Sequence, residues 1–136
     1  MDEKRIPILV GSGQITQREQ DPLVALSPMD LTASAGFKAA DDTHIGKSIL
    51  KKLDTIVVIR SFSDTSWRFK CPFGKYSNPP LSLSKRLGAE NVNRLIYTYP
   101  GGNMPQWCVN RMFEMVTRGE LEIGIIAGGE SLATQK

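Results

Sequence analysis

The fold is decided by residues 94–131, RLIYTYPGGNMPQWCVNRMFEMVTRGELEIGIIAGGES. Leu95 to Tyr99 is a short run of β-branched and aromatic residues, and a proline and two glycines close it, as expected where a buried strand stops at a turn. A helical pattern follows from Asn103 to Gly119, and Ile123 to Ala127 is a second apolar run. The stretch therefore predicts a strand, a glycine turn, a helix and another strand.

The start of this helix carries its own signals. Asn103 is a candidate N-cap, and Gln106, three residues later, is placed to reach back to the N–H of Asn103 in a variant of the capping box. Pro105 loses no hydrogen bond in a first helical turn. Gly119 supplies the stop at the other end. Both ends of the helix are therefore predicted.

The helix is apolar around most of its circumference. The apolar residues follow helical spacing, and they are Cys108, Val109, Met112, Phe113, Met115 and Val116. The charged residues form only a narrow strip, and they are Arg111, Glu114 and Arg118. Such a helix is predicted to lie mostly inside a larger body. The run Ile123 to Ala127 has no polar alternation, which predicts a strand covered on both faces.

Length and composition exclude several classes. A chain of 136 residues with 40% hydrophobic and 23% charged residues fits one domain with a core. The net charge of +3 is too small and too scattered to indicate nucleic-acid binding. Cys71 and Cys108 have no partner spacing, so neither a disulfide framework nor a metal site is predicted. A reduced cytoplasmic location is expected, because no apolar segment suits export or membrane spanning.

The first forty residues predict a strand and a helix. Ile6 to Val10 is the first predicted strand, and the glycines after it fail the dinucleotide fingerprint because Thr16 stands where the third glycine belongs. Ser27 and the proline after it start a helix that should run to about Ala40. His44, the only histidine, has no catalytic partner in the sequence and is predicted to be a solvated loop residue.

The middle of the chain predicts a strand, a long loop and a helix. Thr55 to Ile59 is the second predicted strand, and residues 60–78 form the loop. Aromatic and basic residues alternate in this loop: Phe62, Trp67, Phe69, Phe73 and Tyr76 with Arg68, Lys70 and Lys75. Such a pattern can bind single-stranded nucleic acid, but anchoring of the loop to the core or to a second subunit is favoured. A helix starts after Asn78 and closes at Gly88.

Strands alternate with helices along the chain, in the order strand, helix, strand, loop, helix, strand, helix, strand. This alternation predicts an α/β fold with an open, mostly parallel sheet and helices on both faces. Ligands of such sheets bind at the carboxyl ends of the strands. The turn from Pro100 to Asn103, hereafter the elbow, is therefore the predicted site.

The elbow, the helix after it and the closing Ala-Gly-Gly-Glu-Ser of residues 127–131 resemble the N-terminal half of a thiolase, of the acetyl-CoA acetyltransferase type related to the sterol-carrier thiolases. Residues 8–18 and 85–89 extend the resemblance to the first strand and the second long helix. The resemblance implies a transferase of lipid metabolism that performs acyl transfer or Claisen condensation. It implies a nucleophilic cysteine at the N-terminus of the central helix, where the dipole and free N–H groups favour thiolate.

This sequence departs from that pattern at the nucleophile. An ungapped alignment from Gly119 backward puts Gly102 at the nucleophile position, so the cysteine is absent there. The N–H of Asn103 remains a possible oxyanion donor. Cys108 lies six residues further on, inside the helix, and is interpreted as a small buried hydrophobe rather than a displaced nucleophile.

The resemblance also implies that much of the thiolase lies outside this chain. Thiolases resemble two copies of one fold, and the second copy supplies the histidine and second cysteine of the site. Residues 1–136 are expected to be a partial N-terminal domain, a fragment truncated after the fourth strand and inactive alone. The implied partners are acyl-CoA, as substrate or ligand without a bound cofactor, and either a second copy paired through the third strand, about Arg94 to Tyr99, or a complementary C-terminal half.

Three functions remain open from the sequence. The first is a thiolase-like acyltransferase of acyl-CoA metabolism. The second is a non-catalytic acyl-CoA-binding or scaffolding relative that kept the fold after losing the nucleophile. The third is an unrelated phosphate-binding α/β domain, with Gly101, Gly102 and the following helix N-terminus as an anion cradle.

Overall fold

The computed structural model describes residues 5–65, 67–68 and 70–134. Its centre is a three-stranded, all-parallel sheet of β1 (Thr55–Val58), β2 (Arg94–Tyr97) and β3 (Gly124–Ala127), in the spatial order β2-β1-β3. The α-helices are α1 (Pro28–Asp42), α2 (Pro79–Leu87) and α3 (Met104–Thr117), and two 3-10 helices span Gly46–Lys52 and Phe62–Asp64. The predicted open parallel sheet with helices on both faces is confirmed.

The starts of α1 and α2 form as the sequence predicts. The Ser27 hydroxyl accepts a hydrogen bond from the N–H of Asp30 at 3.1 Å, and the Asn78 side-chain oxygen accepts one from the N–H of Leu81 at 3.2 Å. Each cap satisfies one of the N–H groups that a first helical turn leaves unpaired. Gly88 ends α2 in the left-handed conformation, with φ of 68°.

The predicted capping box of α3 is wrong. Asn103 directly precedes the helix, but its side chain makes no capping hydrogen bond. Its backbone is already helical, with φ of −83° and ψ of −13°, whereas a capping side chain needs an extended backbone. Gln106 donates to the Asn110 side chain at 2.9 Å instead of reaching back. The N–H of Met104 donates to the Gly101 carbonyl at 3.1 Å and closes the turn.

The prediction of a first strand at Ile6–Val10 is also wrong. This segment has no regular secondary structure, and no strand pairing or backbone hydrogen bond joins it to the other residues that the structure describes. Most of its apolar side chains are strongly exposed. The chain then turns against α1, where the N–H of Ser12 donates to the Asp42 carboxylate at 2.8 Å. Without a neighbouring strand at hydrogen-bonding distance, an apolar run cannot become part of a sheet.

The two faces of the sheet are covered unequally. On one face, α1, α2 and the 3-10 helix at Gly46–Lys52 enclose the larger core, in which Ile56 and Leu83 are completely buried. On the other face α3 is the one helix of the described ranges that packs on the sheet, over a smaller cluster of Val57, Cys108, Met112, Met115 and Leu121. The central strand β1 is buried throughout, whereas β2 and β3 are half-buried. The strand predicted at Ile123–Ala127 has side chains packed on both faces, with Ile125 against the larger core and Ile126 against the smaller cluster. It is only half-buried because β3 lies at an edge of the sheet.

The helix α3 is a surface helix of the described chain. Of the helix residues only Cys108, Met112 and Met115 are buried, and Trp107 is 52% exposed. Phe113, six residues later, is also exposed. The helix is therefore apolar around most of its circumference, as the sequence indicates. Within the described chain, however, the sheet covers only one side of it.

The loop and the turn after α1 can be compared with their predictions. Tyr76 packs against the larger core, as expected of a loop anchored by an aromatic side chain, whereas Trp67 is 81% exposed. Phe69 lies outside the described residues. His44 is exposed in the turn, with φ of 61°, which confirms the prediction of a solvated histidine. None of the helices in the described ranges combines the length and the hydropathy that a membrane span requires.

Candidate functional site

The elbow begins where the chain leaves β2. The N–H of Thr98 still donates to the Val58 carbonyl at 3.1 Å, and the sheet ends there. Gly101 then adopts φ of 149°, a conformation that residues with a Cβ rarely adopt. A Cβ built on Gly101 would lie 2.7 Å from the side-chain oxygen of Asn103. The backbone therefore requires glycine at this position, and a Cβ here would also displace the Asn103 side chain.

Gly102, the predicted nucleophile position, is different from its neighbour. It is exposed, its φ is not in the left-handed region, and no atom lies within 4 Å of the place where a Cβ would be. The position just ahead of α3 thus has room for a side chain and a backbone that tolerates one. Residue 102 lacks a nucleophilic side chain because it is glycine, although the geometry at this position would accommodate one.

The N–H groups of Gly102 and Asn103 precede the first turn of α3. Within the described part of the chain, no hydrogen bond uses either group as a donor. Unpaired N–H groups at a helix N-terminus carry partial positive charge and suit an anion or a polarised carbonyl oxygen. This arrangement can chemically accept a thioester oxygen. The oxyanion role of Asn103 stays a prediction.

Cys108 lies in the second turn of α3, on the side that faces the sheet. Its side chain is 1% exposed and packs in the smaller cluster with Val57, Met112 and Met115. This burial raises the pKa of the Cys108 thiol, because an apolar environment disfavours the thiolate. A protonated, enclosed thiol is a poor nucleophile, which supports the interpretation of Cys108 as a small hydrophobe.

The structure also assembles a polar cluster that the sequence reasoning missed. The Tyr97 hydroxyl, at the end of β2, donates to the Asp64 carboxylate. Desolvation, strengthened by this hydrogen bond, raises the pKa of Tyr97 to about 12. The guanidinium of Arg60 stacks over the Tyr97 ring at 4.6 Å and donates to the Thr98 carbonyl at 3.0 Å. These contacts fasten the start of the long loop to the carboxyl end of β2.

Glu130 adds a third attachment for the same loop. Its carboxylate accepts a hydrogen bond from the N–H of Phe62 at 2.7 Å and so joins the exit of β3 to the loop. The residue as a whole is exposed, but partial desolvation of the carboxylate raises its pKa, and the nearby Asp64 charge acts in the same direction. Arg60, Thr98 and Glu130 each follow a strand by at most three residues. The strand-end rule that located the elbow could have found them.

Comparison with known proteins supports the fold. No protein-family model matches the chain, and no curated protein matches it. Among solved structures, the chain is similar to a monomeric SCP2-thiolase-like protein type 1 from Mycobacterium smegmatis, with a TM-score of 0.75 and 24% sequence identity. The similarity covers 96% of this chain and 24% of that protein, so the chain spans about a quarter of its length. The chain therefore has a thiolase-like α/β fold.

Proposed function

We propose that this chain is the N-terminal part of a thiolase-like protein of acyl-CoA metabolism, and that it binds the acyl thioester through the elbow without attacking it. In this proposal the backbone N–H groups of Gly102 and Asn103 receive the thioester oxygen. The family chemistry is acyl transfer or Claisen condensation through an acyl-enzyme. That acyl-enzyme cannot form at residue 102 of this chain, because no thiol stands there. The chain alone is then an acyl-CoA-binding module.

One observation carries the proposal. The position ahead of α3 combines open space at Gly102 with two N–H groups that have no partner in the described residues. It lies at the carboxyl edge of a parallel sheet, where such folds bind their ligands. The thiolase-like fold supplies the analogy for an acyl thioester, because the solved relative is described as SCP2-thiolase-like.

The test restores the missing thiol. In Gly102→Cys, the thiolate would attack the carbonyl carbon of acetyl-CoA, the carbon–sulfur bond to coenzyme A would break, and the departing coenzyme A thiolate would take a proton. Mass spectrometry should then find an acetyl group on residue 102. Gly102→Ala is the matched control, since it fills the same space without a thiol and should remain unmodified.

Experiments on the unsubstituted chain distinguish acyl-CoA binding from catalysis by Cys108 and from phosphate binding. Calorimetric titration should show that acetyl-CoA binds and that inorganic phosphate alone does not. An acetyl adduct on Cys108 in the original chain would contradict the proposal and make Cys108 the nucleophile. Binding of phosphate with no preference for the acyl thioester would instead favour the anion-cradle function.

The open edges of the sheet support the proposed partners. The Ile123 carbonyl accepts a hydrogen bond from the N–H of Asp54, just before β1, and the Ala127 carbonyl accepts one from the N–H of Ile59, just after it. Because backbone groups alternate in direction along a strand, those of Gly124 and Ile126 face the outer edge of β3. Beyond that edge the described residues contain no paired strand. We propose that a strand of a complementary half pairs there, because unpaired edges promote association.

The outer edge of β2 supports the alternative partner, a second copy of the chain paired near Arg94 to Tyr99. Hydrogen exchange can separate the two proposals. In the isolated chain the amides of Gly124 and Ile126 should exchange quickly, and that of Ile125 slowly. If the chain instead dimerises through β2, the amides of Leu95 and Tyr97 should become protected as concentration rises. A monodisperse, cooperatively folded chain with both edges protected at all concentrations would contradict both proposals.

A further inference from the structure

A cavity lies between α3 and β2. Because α3 is the single helix that covers this face in the described chain, the edge of the sheet under β2 is left open. The resulting cavity has a volume of about 250 Å³. Its walls are apolar, and they are formed mainly by Val57, Ile96, Cys108, Met112 and Met115.

Arg94 brings a cation to this apolar cavity. Its side chain lines the cavity, and its guanidinium approaches the sulfur of Met115 at 3.9 Å. Among the described residues, Arg94 forms no ion pair. A guanidinium has five N–H donors, and a thioether sulfur is a weak acceptor, so most of the hydrogen-bonding capacity of Arg94 is unused by the described protein groups.

The other charged groups of the cavity do not neutralise Arg94. Arg111 also lines the cavity, and it pairs with Glu114 on its own helix at 3.0 Å. Glu120 is the acidic residue of the lining, and it is exposed and not paired with Arg94. Because Glu114 already pairs with Arg111, Arg94 is the guanidinium of the lining that has no ion-pair partner among the described residues. An unpaired cation beside an apolar interior favours an anion with an apolar tail.

We propose that this cavity binds an aliphatic carboxylate, with its chain between α3 and the sheet and its carboxylate on Arg94. The volume corresponds to roughly eight water molecules at about 30 Å³ each, which suits the chain of a short fatty acid. Burial of the aliphatic chain contributes about 0.8 kcal/mol per CH₂ group. The carboxylate supplies the charge-assisted acceptors that Arg94 lacks. The site is separate from the elbow and does not depend on the proposed function there.

Trp107 provides the measurement, because it lines the same cavity. The chain has two tryptophans, so Trp67→Phe leaves Trp107 as the only fluorescent one. Titration with decanoate below its critical micelle concentration should shift the Trp107 emission and saturate. Decanoate should also slow alkylation of Cys108 relative to its rate in the ligand-free protein. Decanol and decyltrimethylammonium, which lack the carboxylate, should bind at least about tenfold more weakly.

Two variants locate the carboxylate. Arg94→Gln should weaken decanoate binding at least about tenfold and leave decanol binding unchanged, as expected when a charged hydrogen-bonding partner is removed. Arg118→Gln, at the end of α3 and outside the cavity lining, is the matched control and should bind like the parent. Absence of saturable binding, equal binding of decanol in the parent, or an equal loss in Arg118→Gln would overturn the proposal. So would sedimentation showing a dimer in which Cys108 is protected without decanoate.

Discussion

The pair of glycines at the elbow makes a sharp test of the structure, because the two residues are adjacent and yet have opposite requirements. Gly101→Ala should destabilise the chain, whereas Gly102→Ala should leave its stability unchanged or slightly higher. Gly101 has φ of 149° and Gly102 has open space around it. Alanine at a compatible position reduces the entropy of the unfolded chain, which stabilises by about 0.4–1 kcal/mol.

The size of the Gly101→Ala effect has two parts. A backbone conformation that non-glycine residues avoid costs on the order of 1–3 kcal/mol. The overlap of the new Cβ with the Asn103 side-chain oxygen, 2.7 Å away, adds to this. The Asn103 side chain makes no capping bond, so it can rotate aside, and the backbone part should dominate. With a urea m-value of about 2 kcal/mol/M, a loss of about 2 kcal/mol lowers the midpoint by roughly 1 M.

Urea unfolding followed by circular dichroism measures both variants. Repeating Gly101→Ala in an Asn103→Ala background removes the overlap and isolates the backbone cost, because the two residues are close enough for their effects to couple. Equal midpoints for Gly101→Ala and Gly102→Ala would refute the geometry of the elbow. A loss that disappears in the Asn103→Ala background would show that crowding, and not backbone conformation, requires the glycine.

Three further predictions concern the core and the titratable groups. Leu83→Ala, at a side chain that is 0% exposed, should cost about 2–5 kcal/mol in urea unfolding, whereas Leu81→Ala on the exposed side of the same helix should change stability by about 0.5 kcal/mol or less. Cys108 should react with iodoacetamide much more slowly in the native chain than in urea, and fast native labelling would contradict its burial and raised pKa. The pKa of Glu130 is raised above its ordinary value of 4.5, so the folded state holds the carboxyl proton more tightly than the unfolded state does. The stability that the protonated carboxyl contributes is therefore lost as the pH rises through the folded pKa. Glu130→Gln should therefore gain stability relative to the original chain as the pH rises from 4.5 through the folded pKa, and a constant difference across pH would contradict the shift.

The fold was largely predictable because its signals are local. Ser27 and Asn78 each precede a proline and cap their helices as their sequence context predicts. The alternation of strand and helix patterns along the sequence was sufficient to predict a parallel sheet with helices on both faces. The Ile6–Val10 prediction failed because a strand needs a neighbour, and pairing is a long-range property that an apolar run does not contain.

The candidate site was only partly predictable. The elbow was located from its glycines, but the difference between Gly101 and Gly102 depends on backbone angles that two identical letters cannot distinguish. The contacts of Arg60, Tyr97 and Glu130 join residues that are far apart in the chain, and they arise only once the strands align. The capping prediction at Asn103 failed for a local reason: the turn closed by Gly101 and Met104 leaves the Asn103 backbone helical rather than extended.

The donors at the elbow belong to the main chain, and this affects how the site can change over time. An N–H group is present in every residue except proline, so substitutions at 102 and 103 can alter shape and charge without removing the donors. Gly101 is the position that the geometry constrains, since its φ of 149° is one that residues with a Cβ rarely adopt. If the proposed binding by these donors is right, relatives that share it are expected to differ freely at the two donor residues and to agree at the glycine before them. A search for shared side chains would overlook them, whereas a search for shared backbone geometry would find them.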